Sequence, residues 1–254
     1  MRVAITRAVS PSIVHCKLTH LAREPMDLQR ARAQHQRYEE LLEELGCKLV
    51  RLPAEPELPD SVFVEDTAVV LDELAVITRP GAESRRAETA SIADVLKQYR
   101  KLAYIESPGT LDGGDVLQVG KRLYVGLSKR SNAQGIEQLR NIVAAVGYSV
   151  AAVELHDCLH LKSAVTQVAD DALLINRNWV DAGVFGPMHS IDVASSEPFG
   201  ANSVRIGKTL VYPSAFPETR GRLEAHGIDV RTVDASELAK AEGGVTCCSL
   251  IFTA

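Results

Sequence analysis

The feature that most restricts what this chain can fold into is a recurring hairpin. EDTAVVLDELAVITRP, GDVLQVGKRLYVGL, HLKSAVTQVADDALLINR and ANSVRIGKTLVYP each place two short apolar runs on either side of a turn of small or charged residues. Two such runs joined by a short turn read as a β-hairpin. A fifth apolar segment, CSLIFTA, has no partner beside it, and the N-terminal RVAITR can supply one, closing the array into a ring. Helical stretches separate the hairpins. From Leu28 to Leu45 the apolar positions Leu28, Ala31, Tyr38, Leu41, Leu42 and Leu45 recur at helical spacing, with Asp27 to cap the start and Gly46 to end it. Residues 84–99 and 131–146 repeat the pattern, and a weaker helix runs from Pro217 to His226 before Gly227. The units start near Asp27, Ser84, Ser131 and Pro217, which leaves one irregular unit between Asn178 and Ser214. A period of roughly 40–50 residues belongs to rings and stacked arrays. The pattern predicts an α/β ring of five units; a conventional α/β sandwich, whose units share only the usual alternation, is the alternative.

Length and composition narrow the classes. A chain of 254 residues holds one large domain or two modest ones. No Pro/Gly/Ser-rich linker and no shift in composition divides it, so a single catalytic domain over residues 1–254 is expected. With 46% hydrophobic residues the chain is too apolar for disorder. A net charge of −5 argues against a nucleic-acid partner, which calls for a basic stripe. No apolar run approaches the roughly eighteen residues of a membrane span, and the N-terminus lacks a signal-peptide core. Five cysteines, an odd number with two adjacent at Cys247 and Cys248, do not make a disulfide framework; a reducing, cytoplasmic location is expected.

The chemically unusual residues fall at the same place in each unit, the loop that feeds the hairpin. They are Asp60, Glu65 and Asp66 in DSVFVED, Asp112 to Asp115 in LDGGD, and His160 with Lys162 in LHLK. Ala201-Asn202 and EGGVTCC complete the set. In a closed ring these loops converge on the axis and form one pocket. Cys247 is then a candidate nucleophile, since a thiol beside a base such as His160 is activated. A buried structural thiol is the other reading, and Cys16, Cys47 and Cys158 are placed there. If CCSL is strand, Cys248 faces away from Cys247. His160, at the end of an expected strand, is either base or satisfied core residue. Asp112 can orient His160 or bind a cation, or simply make a turn. The acids that bracket the strand-like V-F-V need a counter-charge, from a cationic substrate or an internal Arg or Lys. Arginines at 79, 85, 86 and 130 can hold a carboxylate, or the Arg85-Arg86 stretch can be a solvated helix start, the reading that suits Arg86. Together these suit a substrate with a cation at one end and a carboxylate at the other. No CxxC pair occurs, and the single HxxxH spacing, His156 to His160, has no such pair to complete a zinc set, so no metal site is expected; without GxGxxG or a Walker loop no nucleotide cofactor is implied.

The combination of DSVFVEDTAVV, ITRPGAESRR, LDGGDVL, VGLSKRSNAQG, LHLKS, AN before a strand and EGGVTCCSL resembles the dimethylarginine dimethylaminohydrolases of the guanidino-modifying superfamily. The motifs run in family order from about residue 60 to the C-terminus. The resemblance implies a pentein-type α/β propeller, five ββαβ-like units around a pseudo-fivefold axis. It also implies hydrolysis of Nω-methylated arginine to citrulline and methylamine or dimethylamine through a covalent cysteine thiouronium. Carried over position by position, it implies Cys247 as nucleophile, His160 as general acid and base, and Asp112 as the acid that positions the histidine or the substrate, a place that some relatives fill with Glu. Asp60 and Asp66, with Glu65 beside them, match the guanidinium-binding acids. Arg85 and Arg130 match the arginines that hold the amino-acid carboxylate, and Leu18 falls in the lid near the N-terminus. No cofactor is implied. Zinc bound by Cys247 and His160 would be an inhibitor, and relatives are often homodimers. The rival readings are an arginine deiminase-like hydrolase, although such chains are usually longer, and a non-catalytic guanidine-binding protein, which has no need of the nucleophile.

Overall fold

The computed structural model describes all 254 residues, Met1 to Ala254. It contains five three-stranded sheets of one design: an antiparallel hairpin, a crossover, and a third strand added in parallel. In the second sheet Ala68–Val70 pairs with Leu74–Ile77, and Lys101–Tyr104 joins alongside. The third holds Val116–Val119, Arg122–Leu127 and Ser149–Glu154. The fourth holds Val165–Gln167, Ala172–Ile175 and His189–Asp192, and the fifth Val204–Ile206, Thr209–Pro213 and Asp229–Val233. The first sheet is made from the two chain ends. Arg2–Arg7 lies between Leu250–Thr253, antiparallel with Ala4 opposite Ile251, and the parallel strand Lys48–Leu52. The strand that lacked a neighbour in sequence thus pairs with the N-terminus, as expected.

A parallel third strand needs a crossover, and helices supply it in four sheets. These helices are Leu28–Glu44, Thr89–Leu96, Ala133–Ala144 and Pro217–Ala225. Asp27 caps the first by accepting the Arg30 amide at 3.0 Å, and Gly46 ends it with a left-handed φ of 84°. The stretch 84–99 departs from the expected single helix. It opens with a 3₁₀ segment, Glu83–Glu88, whose buried Arg85 and Glu88 stand three residues apart, one 3₁₀ turn. The irregular unit between Asn178 and Ser214 is also divided differently. Its first part crosses over through the 3₁₀ turn Ala182–Phe185 to complete the fourth sheet, and its second part is the hairpin of the fifth.

The core shows that the sheets form a closed ring, because each apolar cluster joins neighbouring sheets. Ile5 and Ala75 share one cluster, Val76 and Val125 a second, Leu117 and Leu173 a third, Leu174 and Leu210 a fourth, and Val211 and Ala4 a fifth. The last cluster returns to the sheet where the first began. First strands face the axis: Val70, Gln118, Thr166, Arg205 and Ile251 line the cavities there. The loops that feed the hairpins gather at one end of that axis.

Candidate active site

Three of those loops are shaped differently from the strand ends that their sequences suggest. Val64–Thr67 coils into a 3₁₀ turn, so Glu65 and Asp66 point to different partners. His160 is the N-cap of a one-turn helix, Leu161–Ala164. Cys247 and Cys248 lie in a turn ahead of the last strand, where Cys248 is buried and donates its thiol to the Gly244 carbonyl at 3.5 Å.

At the centre, the His160 Nε2 lies 3.0 Å from Asp112 Oδ2 and 3.9 Å from Asp66 Oδ1. Asp112 is fully buried and also accepts the Gly81 amide at 2.9 Å. Asp66 accepts the Gly114 amide at 2.9 Å and the Arg85 guanidinium at 2.5 Å. The LDGGD glycines are there for clearance: a Cβ on Gly114 would come within 2.7 Å of both Asp66 Oδ1 and His160 Nδ1. Asp115 of the same motif joins two other parts of the site. It takes hydroxyl donors from Ser128 and Ser131, which flank Arg130, and the amide of Leu161, which follows His160.

Charge sets the protonation states. Burial would lower the His160 pKa, but Asp66, Asp115 and Asp112 outweigh it and hold the imidazolium up to about 9. Asp66 titrates well below the usual carboxylate range; burial opposes this, and His160 and Arg85 bring it about. Burial, with Glu65 and Asp66 nearby, pushes the Cys247 thiol up to about 12. Its sulfur accepts the Gly244 amide at 3.3 Å. Burial also raises Asp115 to about 6 and Glu88 to about 7, and raises Asp60. At neutral pH the pocket therefore holds a histidine cation and a neutral thiol.

The remaining expected residues divide into two groups. Glu65 is turned toward the axis, where Lys162 Nζ meets it at 2.6 Å and the Thr246 hydroxyl at 2.8 Å. Asn202 in turn donates to Thr246 at 2.9 Å. Arg85 is buried, and its donors go to Asp66, to Glu88 at 2.8 Å and to the Phe63 carbonyl at 2.9 Å. It thus braces the acids rather than facing open space. Asp60 accepts the Lys17 amide at 3.2 Å, and Arg130 donates to the Thr19 hydroxyl at 3.1 Å. Leu18, between them, belongs to a segment laid over these two residues. Sequence reasoning left Glu88, Thr246 and Glu242 without a role. Only Glu88 carried a signal, its spacing of three from Arg85.

Asp66, Asp112 and His160 are also the residues grouped most tightly for a cation, with one atom from each within 4.8 Å of the others. Cys247 is outside this group, so the zinc pairing considered from sequence is not the cluster that the fold assembles. The proton on His160 already supplies a cation there.

A closed ring of five sheets with a buried His–Asp pair and a thiol at one end of the axis defines a class of enzymes that act on guanidino groups. The arginine deiminase family profile matches residues 55–203. N(G),N(G)-dimethylarginine dimethylaminohydrolase of Streptomyces coelicolor is 39% identical over 97% of this chain and 95% of its own length. The enzyme of that name from Pseudomonas aeruginosa is 36% identical over 89% and 90%. A crystal structure of the Pseudomonas enzyme, a cysteine-to-serine mutant complexed with citrulline, superposes with a TM-score of 0.94 at 34% identity over 98% of both chains. The chain belongs to the arginine deiminase family, and within it to the dimethylarginine dimethylaminohydrolases. Its fold is the pentein-type propeller.

Proposed function

We propose that this chain hydrolyses Nω-methylated arginine to citrulline, releasing methylamine or dimethylamine, with Cys247 as nucleophile and His160 as acid and base. The observation that carries the reading is the charge of the pocket. Asp60, Glu65, Asp66, Glu88, Asp112 and Asp115 face only Arg85, Arg130, Lys162 and the His160 imidazolium. The excess of acid suits a substrate that brings a guanidinium and an ammonium against one carboxylate. In this reading Asp66 holds the guanidinium, Asp60 faces the ammonium, and Arg130 takes the carboxylate under the lid at Leu18. Arg85 fixes Asp66, and Glu65 offers its negative field from the axis.

Binding and chemistry are linked through the thiol. A guanidinium beside Glu65 and Asp66 offsets the field that keeps Cys247 protonated, so substrate lets the thiol release its proton to solvent. The thiolate adds to the central guanidinium carbon, forming a C–S bond. The C–N bond to the methylated nitrogen then breaks, its electron pair stays on nitrogen, and His160 supplies the proton that lets the amine leave. Water attacks the thiouronium and gives a proton to the neutral imidazole, the C–S bond breaks with its electron pair on sulfur, citrulline is released, and the thiolate takes up a proton to restore the resting thiol. Asp112, at 3.0 Å, fixes the ring for both steps.

The catalytic unit in this reading is a single domain over residues 1–254, cytoplasmic, with a homodimer as its assembly. The unpaired state of all five cysteines suits a reducing compartment, and no helix is long and apolar enough to cross a membrane. One sizing run tests the dimer. The decisive assay compares asymmetric dimethylarginine, monomethylarginine, arginine and agmatine for release of citrulline or its analogue. Methylated arginines are expected to lead, and a preference for free arginine overturns the reading in favour of a deiminase.

A further inference from the structure

Cys247 has two different sides. The residues assigned to the amino-acid end, Leu18, Asp60 and Arg130, and the pair Asp66 and Arg85 assigned to the guanidinium, all precede residue 131 and are mostly charged. Cys247 also lines a cavity of about 400 Å³ that contains none of these residues; apart from the lid residues His20 and Leu21, its lining comes entirely from residues 157–247. Leu159, which precedes His160, lines it, as do Phe199, Ala215, Phe216 and Ala239. Phe199 is half exposed, with one edge against Trp179 at 5.1 Å between ring centroids and the rest open to this space. Apart from Asp157 and Glu242 at its border, no acid lines the cavity.

We propose that this cavity is the subsite for the substituent on the guanidinium nitrogen that is lost, and that it takes apolar Nω-alkyl and Nω-aralkyl groups well beyond methyl. The inference rests on the hydrolase reading above. A substrate held by its amino-acid end on the charged side reaches the axis with its guanidinium carbon at Cys247. Whatever extends past that carbon points into residues 157–247. The chemistry on the two sides matches the substrate. A dialkylated nitrogen has no N–H to offer a carboxylate, so it belongs against apolar side chains, whereas the remaining NH₂ and the chain N–H belong with Asp66. The size decides the class. Cavities of about 300–1,000 Å³ accommodate whole drug-sized ligands, so two methyl groups leave most of this one unfilled. The bond changes are those of the proposed reaction for any substituent: C–S forms, C–N breaks, and the substituted nitrogen takes its proton from His160 and departs as the primary or secondary amine.

The test is a series of Nω-methyl-, propyl-, butyl- and benzyl-arginine, followed by citrulline formation in the wild-type protein and in Ala215→Trp, which fills the cavity away from the catalytic groups. A buried methylene is worth about fourfold in binding. Butyl adds three methylenes to methyl, a gain of up to about sixtyfold, so the butyl and benzyl compounds are expected to show a kcat/KM no lower than about a tenth of the methyl compound's and up to that gain above it. Ala215→Trp is expected to cut the benzyl compound at least about tenfold and to leave the methyl compound unchanged, which also reports that the variant folds. Rejection of butyl and benzyl by more than about a hundredfold, with methylarginine still turned over, overturns the subsite alone. An equal loss for every member in Ala215→Trp overturns it too, because the cavity then serves passage rather than the substituent. Failure of all methylated arginines in the wild-type protein overturns the hydrolase reading and the subsite with it.

Discussion

The charge cluster under Cys247 and the segment that covers it are held in place by opposite means. In the cluster every group is buried and has several partners: Glu88 to Arg85, Arg85 to Asp66, Asp66 and Asp112 to His160. The cover, residues 17–21, is largely exposed and has few polar ties. The Glu242 carboxylate accepts the amides of Thr19 at 2.9 Å, His20 at 2.5 Å and Leu21 at 2.7 Å, while Asp60 accepts that of Lys17. Many mutual partners in a low dielectric fix geometry and protonation before substrate arrives. A few backbone bonds to carboxylates hold the cover, which in the proposed reading has to part and reseal. The difference teaches that precision and access are assigned to different physics in one pocket, and substitutions on each side are expected to fail differently.

The largest effect is expected at the thiol itself. Cys247→Ser should lower turnover by at least about 10³-fold, since removal of a nucleophile removes a covalent step. The pocket stays intact, so citrulline binding by calorimetry should persist. Cys248→Ser, beneath it in the core, should keep activity. The reverse pattern would move the nucleophile to Cys248.

Next comes the brace. Arg85→Met leaves Asp66 and Glu88 buried without their shared cation, and breaking a buried pair in this way costs about 3–5 kcal/mol. The denaturation midpoint should therefore fall sharply at pH 8. Glu88 already titrates at about 7, so the deficit should shrink as pH drops and that carboxyl takes a proton. A deficit independent of pH would mean that packing, not charge, is what Arg85 supplies.

The pH dependence follows from two groups that both keep their protons at neutrality. The productive pair, thiolate with imidazolium, is one proton short of the resting pocket. Hence kcat/KM should climb with pH until His160 titrates, at about 9, and fall only as the second proton is lost near 12. Asp112→Asn removes a carboxylate that raises His160, so the rising limb should move to lower pH, and a limb that stays put would deny Asp112 that role. The stability sign is the ordinary one for a raised histidine. Its contribution is complete below about 6.5 and is lost as pH rises through about 9.

How far these contrasts were legible in the sequence depends on the range of the interactions. Hairpins and caps are local, so four of the five hairpins and the Asp27 cap follow from neighbouring residues; the closing role of RVAITR, which joins the two chain ends, was legible only because CSLIFTA has no partner beside it. His160 and the Glu65-Asp66 pair show where local reading fails. Both lie in apolar runs that look like strand, yet both sit in short helical turns tied to distant residues: Leu161 to Asp115, and Glu65 to Lys162 and Thr246. The positions of the acids were visible, but their separate directions were not. Arg85 was visible as a cation, but its burial between Asp66 and Glu88 comes from tertiary packing. Glu242 carried no signal, because its partners are more than 220 residues away in the chain.

Glu242 also offers the gentlest way to test the comparison. It occupies a left-handed backbone position, φ 61°, five residues before Cys247, and it is the main tie between the two edges of the pocket. A Gln there keeps the shape and one acceptor but gives up the charge, and bonds to an ionised acceptor are about twice as strong as neutral ones. Glu242→Gln should therefore raise KM by about three- to tenfold, roughly 1 kcal/mol, with stability unchanged. The chemical step should be untouched, so single-turnover rates at saturating substrate should match the wild-type protein. If opening of the segment limits product release, steady-state kcat will rise rather than fall. An equal loss in KM and in the single-turnover rate would show instead that Glu242 shapes the Cys247 turn directly, and that cover and cluster are mechanically one unit.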